Sequence, residues 1–174
     1  METTLSSQEN HRYLREKAGY FFLEDLCLIS AEGSDLFSYL QTQTTNDVNE
    51  LKPGQGQNNA IVDRKARVIS TFSLHRTGEE SAVILVETQQ KENLLNHLNT
   101  FLFRENVTLA SSNYFVLALQ GPKSQEIIKS FTQSSDSIPE KPNDICKFTF
   151  ERLPALAIAK SLTGEEGCVL VFQA

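Results

Sequence analysis

Residues 57–76 read QNNAIVDRKARVISTFSLHR and contain two candidates for β-strands. In the second half of this stretch Ser70, Phe72 and Leu74 alternate with Thr71 and Ser73, so that one face of a strand, the face of Phe72 and Leu74, is mainly apolar. Its first part, residues 57–63, is another strand candidate, and a short charged segment separates the two. Together they predict a pair of strands joined at their charged ends.

Helix signals lie on both sides of this pair. Leu36, Phe37 and Leu40 have helical spacing. Ser34 or Asp35 precedes them and can accept the free amide hydrogens of the first turn. Further helices are predicted over residues 88–106, which carry a stripe of leucines, and over residues 122–131.

Strands account for most of the remaining chain. Residues 20–30 are predicted to form one extended segment that enters the core, and Pro53-Gly54 ends the element before it. Residues 134–144 have the composition of a polar loop. The sum is an α+β protein with mostly antiparallel sheets and packed helices. The other strand candidates are residues 82–87, 107–112, 114–121, 146–151, 156–160 and 167–173.

Composition limits the class of protein. The chain has 174 residues and a formal net charge of −6, which argues against a broad nucleic-acid interface. Residues 1–19 form a polar N-terminal segment without the apolar stretch of a signal peptide. No apolar run approaches the ~20 residues of a membrane helix. We therefore predict a cytoplasmic protein with no direct nucleic-acid partner and no membrane partner.

Metal and nucleophile chemistry find little support in the sequence. Cys27, Cys146 and Cys168 are far apart, which predicts small buried side chains rather than a zinc site or a disulfide framework. The three histidines are scattered, and neither a nucleotide-binding loop nor a nucleophile elbow occurs. We predict no catalytic residues and no metal ligands.

The charged segment between the two strand candidates points to a ligand. Asp63, Lys65 and Arg67 share one face if a strand runs through them. A carboxylate flanked by two cations suits a partly anionic heteroaromatic molecule, such as a pterin edge with a glutamate tail. The alternative is a solvated charged hairpin with no ligand.

A resemblance to a known family sharpens this reading. Three segments match the order and spacing of the folate-binding domain of the glycine-cleavage T protein family: FSYLQTQTTNDVNELKPGQGQ, LALQGPKSQEIIKSF and LTGEEGCVLVF. Within that superfamily, VDRKARV resembles the Asp-x-Lys-Gly-Arg run of the YgfZ-like folate-binding proteins, which are linked to iron–sulfur enzyme maintenance and tRNA modification. The resemblance implies a domain over residues 20–174 with the aminomethyltransferase N-terminal fold. It also implies tetrahydrofolate or a folate derivative as the cofactor.

Departures from the aminomethyltransferase pattern favour the YgfZ-like branch. Where the resemblance places a Gly-Gly-Ile-x-Asp-Asp run, this chain has ARVIST, so Ser70 and Thr71 replace two aspartates. A hydroxyl cannot supply the negative charge of a catalytic carboxylate. Asn58 replaces a tyrosine, and Ala66 stands where the YgfZ-like run has glycine, a replacement that is strained if φ is positive there.

Other family features are missing from the sequence. A Lys-Gly-Cys-x-x-Gly-Gln motif does not occur, and Cys168 lies in a strand context. The C-terminal barrel of the family is not contained in these 174 residues. We therefore expect a C-terminally incomplete or truncated domain.

The predicted function is to hold a tetrahydrofolate derivative without catalysis and to support iron–sulfur enzyme assembly or repair, or tRNA modification, with iron–sulfur assembly proteins as candidate partners. One alternative is an aminomethyltransferase of the glycine cleavage system, and another is a ligand-free scaffold. Gln120 is assigned mainly to a structural corner before a helix. The predicted folate-binding residues are Asn58, Asp63, Lys65, Arg67, Ser70 and Glu165.

Overall fold

The computed structural model describes residues 7–111, 113–131, 139 and 141–173. The chain forms two units. One comprises residues 24–114 and 143–145, which we call the central unit, and the other comprises residues 1–23, 115–142 and 146–174, which we call the flanking unit. Both units combine an antiparallel sheet with helices, so the predicted α+β class is confirmed.

The central unit is a five-stranded sheet in the order β3-β4-β5-β2-β6. Every neighbouring pair in it is antiparallel. Helix α2 spans Leu36–Gln43, and a single 3-10 turn at Thr88–Gln90 leads into α3, Lys91–Thr100. The strands are β2 (Leu26–Glu32), β3 (Gly56–Val62), β4 (Val68–Arg76), β5 (Ser81–Glu87) and β6 (Thr108–Ser111).

Both helices of the central unit cover one face of its sheet. Leu36 and Leu40 of α2, with Leu94 and Leu98 of α3, are buried in the same cluster as Ile61, Leu74 and Ile84 from the strands. Their helical and strand periodicities place each on the inner side of its element. The hydroxyl of Tyr39 donates a hydrogen bond to the carbonyl of Leu98, which ties α2 to α3.

The flanking unit contains the other sheet, in the order β1-β7-β10-β9-β8. Its helices are α1, Ser7–Glu16, and α4, Ser124–Phe131. Phe148, Phe150 and Phe172 pack edge to face beside α4. The strands are β1 (Gly19–Phe22), β7 (Tyr114–Gln120), β8 (Ile145–Phe150), β9 (Leu153–Ala159) and β10 (Gly167–Gln173).

Most of the predicted elements are present, but two expectations are wrong. Residues 20–30 are not one extended segment, because a turn at Glu24-Asp25 separates β1 from β2, and these strands belong to different sheets. Phe22 is 61% exposed rather than in the core. Asp35 does not cap α2 with its side chain; its carboxylate accepts the amide of Asn106 at 2.7 Å.

Pro53-Gly54 turns the chain into β3, ten residues after α2 has ended. The predicted polar loop at 134–144 lies mostly outside the described residues. No described helix is both long and apolar enough to cross a bilayer. Cys168 is buried, as predicted, whereas Cys27 and Cys146 are only half-buried.

Candidate functional site

The charged segment forms a tight connection between β3 and β4. Asp63 closes it through its main chain, donating to the carbonyl of Arg67 at 2.9 Å. Its carboxylate accepts the amides of Lys65 at 2.8 Å and Arg67 at 3.0 Å, and the Arg67 Nε at 2.7 Å. The amide and guanidinium of Arg67 hold the pKa of the Asp63 carboxyl below its ordinary value. No strand runs through Asp63, Lys65 and Arg67, so the condition under which they would share one face of a strand is not met.

Ala66 explains how this connection turns so sharply. Its φ is +58°, in the left-handed region that glycine adopts more readily. The sequence expectation was that alanine is strained here if φ is positive, and φ is positive. The resulting turn leaves Arg67 paired with Asp63 and Lys65 exposed, with no ion pair for Lys65 in the described part of the chain.

The register of β3 and β4 sorts the other candidates onto two faces. Asn58 lies opposite Ser73, and Ala60 lies opposite Thr71, so Asn58 and Thr71 share one face. Both are exposed, and within the described residues neither side chain has a hydrogen-bond partner. Ser70 lies opposite Ile61 on the other face, which α2 and α3 cover.

Ser70 is engaged in the packing of that helix-covered face. Its hydroxyl donates to Oε1 of Gln90 at 3.1 Å, and the same oxygen accepts the amide of Thr71 at 2.8 Å. The Ser70 side chain is almost completely buried. Gln90 thus fixes β4 from the helix side, and the structure does not bring Ser70 together with Asn58.

The remaining candidates belong to the flanking unit. Glu165 lies in the turn before β10 and forms an ion pair with Arg15 of α1. Gln120 ends β7, fully buried, donating to the carbonyl of Lys160 at 2.9 Å and accepting the amide of Leu162 at 2.7 Å. This geometry is that of the predicted structural corner. A Cβ at Gly167 would lie 2.4 Å from the Gln120 amide nitrogen, so that corner also requires glycine there.

A cavity of about 470 Å³ opens in the central unit beside the β3–β4 connection. Asp63 is the one predicted site residue that lines it, and the neighbouring Arg64 was not predicted. Alternation along a strand would have pointed Arg64 away from Asp63, whereas the turn places both at the cavity. The other lining residues are Thr42, Gln43, Thr44, Thr45, Val62, Ile69, His97 and Phe101. In the described part of the chain, no group of three or more His, Cys, Asp or Glu could hold a metal ion.

Comparison with known proteins establishes the family. Residues 2–174 match the family described as "GCVT N-terminal domain". The chain belongs to this family. An aminomethyltransferase of Thermus thermophilus is 29% identical over 161 residues, covering 91% of this chain and 46% of the relative. An aminomethyltransferase of Bacillus cereus is 27% identical over 169 residues, covering 93% of this chain and 44% of the relative.

Solved structures share the fold of this GCVT N-terminal domain. The glycine cleavage system aminomethyltransferase T from Bartonella henselae superposes with a TM-score of 0.79 at 19% identity, over 95% of this chain and 44% of that one. A heterotetrameric sarcosine oxidase from Corynebacterium superposes with a TM-score of 0.56 at 14% identity, over 88% of this chain and 74% of that one. The expected aminomethyltransferase-type fold is thereby confirmed. The chain spans less than half the length of the aminomethyltransferases it matches.

Proposed function

We propose that this GCVT-family domain binds a tetrahydrofolate derivative on the sheet face that carries Asn58 and Thr71. The β3–β4 register is the observation that carries the proposal. In that register Asn58, at the position of the family tyrosine, and Thr71, at one position of the aspartate pair, lie diagonally across β3 and β4 on the same face, and both side chains are exposed. Ser70, the other position of that pair, is buried and bonded to Gln90. Family membership supports folate as the ligand.

The charges at the β3–β4 connection take different roles in this proposal. Arg67 is paired with Asp63, so Asp63 acts mainly by holding the connection in shape. Lys65 is exposed and unpaired among the described residues, which leaves it as the cation for the glutamate tail of the ligand. Glu165 of the flanking unit stays a more distant candidate, since its carboxylate is already paired with Arg15.

The proposed role is non-catalytic, in support of iron–sulfur enzymes or tRNA modification. Thr71 offers a hydroxyl where the resemblance places a carboxylate, and a hydroxyl cannot stabilise a developing cation with a negative charge. The second candidate is aminomethyl transfer to tetrahydrofolate, which the names of the aligned relatives favour. A ligand-free scaffold is the third.

Calorimetry with tetrahydrofolate separates the two folate-binding candidates from the ligand-free scaffold. We expect saturable heat with the wild-type chain, and weaker binding by roughly five- to tenfold in Asn58→Ala and Thr71→Ala, because each loses a hydrogen bond to the ligand. Arg64→Gln, which alters the helix-covered side, is the matched control and should bind like wild type. Absence of heat from the wild type favours the scaffold and contradicts the proposal.

Turnover is tested separately. The chain is incubated with an aminomethyl-lipoyl carrier and tetrahydrofolate, and formation of 5,10-methylenetetrahydrofolate is followed. We expect none from the wild type. Clear turnover would establish the aminomethyltransferase candidate instead.

A further inference from the structure

The cavity beside the β3–β4 connection has one cation that the protein itself leaves uncompensated. Asp63 is committed to Arg67 and to the amides of the turn. Arg64, which follows it, has no hydrogen bond and no ion pair within the described residues. The free guanidinium therefore gives this part of the cavity a positive charge and a planar fork of donors.

Rings and branched aliphatic side chains form another part of the wall. His97 lies in the last turn of α3 and Phe101 is its C-cap residue; their ring centroids are 4.9 Å apart and their planes are tilted by 53°. Phe101 is 37% exposed, so a ring face or edge is open to a ligand. Val62 and Ile69 flank the connection on the strand side. Such a wall suits a flat aromatic ligand.

We propose that this cavity binds a small aromatic monocarboxylate, at a site separate from the Asn58–Thr71 face. The ring packs against Phe101, His97 and Ile69, and the carboxylate pairs with Arg64 through the two-pronged geometry that guanidinium favours. A volume of about 470 Å³ lies in the range of small-molecule sites.

The helix ends favour a carboxylate over a phosphate. Thr42 and Gln43 are in the last turn of α2, and Phe101 caps α3, so the carbonyl ends of both helices border the cavity. These ends carry partial negative charge. A single negative charge seated on Arg64 tolerates this field better than the double charge of a phosphate.

The site is independent of the proposed folate face. Its wall includes the ends of α2 and α3, which cover the sheet face opposite Asn58 and Thr71. Removal of either of those two side chains leaves the cavity wall unchanged. Failure of folate binding and failure of this proposal are therefore separate results.

The test is a titration of the full chain, labelled with nitrogen-15, with 1-naphthoate and with the uncharged 1-naphthamide. We expect saturable amide shifts at Val62, Arg64, His97 and Phe101. Arg64→Gln should weaken naphthoate roughly fivefold or more and leave naphthamide unchanged, because only the charged partner is lost. Lys65→Gln, the neighbouring cation that does not line the cavity, should bind like wild type.

Phe101→Ala provides a second variant, which should weaken both probes because it removes the ring contact. The amide spectra report folding of every variant in the same experiment. Three results overturn the proposal: no saturable shifts in the wild type, shifts centred on Asn58 and Thr71, or equal losses in Arg64→Gln and Lys65→Gln. Equal losses in these two variants would mean that naphthoate responds to the positive charge of the region and not to Arg64 itself.

Discussion

Adjacent residues of β4 should lose very different amounts of stability on the same substitution. Ser70→Asp and Thr71→Asp each restore one of the two carboxylates that the family resemblance places here. Ser70 is 1% exposed, and its hydroxyl donates to Oε1 of Gln90. A carboxylate at that position would be buried and would face an acceptor instead of donating to it. Thr71 is exposed, with no side-chain partner in the described residues.

The magnitudes follow from these environments. Burying an unpaired carboxylate at Ser70 should cost about 3 kcal/mol of unfolding free energy. For a chain of this length that lowers the melting temperature by roughly 6–12 °C. Thr71→Asp loses only β-propensity, so its melting temperature should fall by no more than about 3 °C.

Thermal unfolding followed by circular dichroism at neutral pH measures the melting temperatures of both variants. Burial raises the pKa of an aspartate placed at Ser70, so its destabilising effect is full above that raised value. The part of the deficit that comes from the charge should disappear as the pH falls below about 4, the ordinary pKa of aspartate. Equal melting temperatures for the two variants, or a Thr71→Asp variant that is the less stable, would refute the assignment of these residues to opposite faces.

Three further predictions concern turns and corners. The folded-state pKa of Asp63 is lowered, so the hydrogen bond from the Lys65 amide to its carboxylate is present above the ordinary pKa of aspartate and is lost as the pH falls below about 4. The pH dependence of the nitrogen-15 shift of that amide reports this loss, and a midpoint above 5 would contradict the hydrogen bonds seen. Ala66→Gly should raise the unfolding free energy by up to about 1 kcal/mol in denaturant titrations, since φ is +58°, and a loss of stability would show that the turn relaxes. Gln120→Leu should lower the unfolding free energy by about 3 kcal/mol, because the buried carbonyl and amide groups bonded to Gln120 lose their partner. The control Gln173→Ala, at an exposed position, should be neutral, and similar values for the two variants would contradict the structural role of Gln120.

The periodic elements of this chain could be predicted, and the reasons are visible in the structure. Strand β5 is a continuous apolar run that is buried along most of its length, and α3 places its leucines on one stripe. The boundary between β1 and β2 could not be predicted, because Glu24-Asp25 contains neither glycine nor proline and apolar residues continue on both sides. A turn made of ordinary residues leaves no local signal.

The candidate site was predicted less well, for a related reason. The connection at Asp63 has no glycine, and its turn depends on side-chain hydrogen bonds and on Ala66 in a left-handed conformation. Neither feature can be predicted from the alternation of polar and apolar residues. The pattern that placed Ser70 with Phe72 and Leu74 on the apolar side did imply that Ser70 is buried, and this conflicted with its choice as a folate-binding residue.

The order of the units along the chain has a consequence for biosynthesis. The sheet of the flanking unit brings β1 beside β7 and β7 beside β10, which ends at Gln173. All five strands of the central unit have emerged from the ribosome once Ser111 has emerged. The first strand of the flanking unit must therefore wait through translation of the whole central unit, and its sheet closes only after the strand at 167–173 emerges. Until residues 114–120 have emerged, the main-chain groups of β1 lack the strand with which they pair, and an unpaired strand of this kind is prone to misassembly.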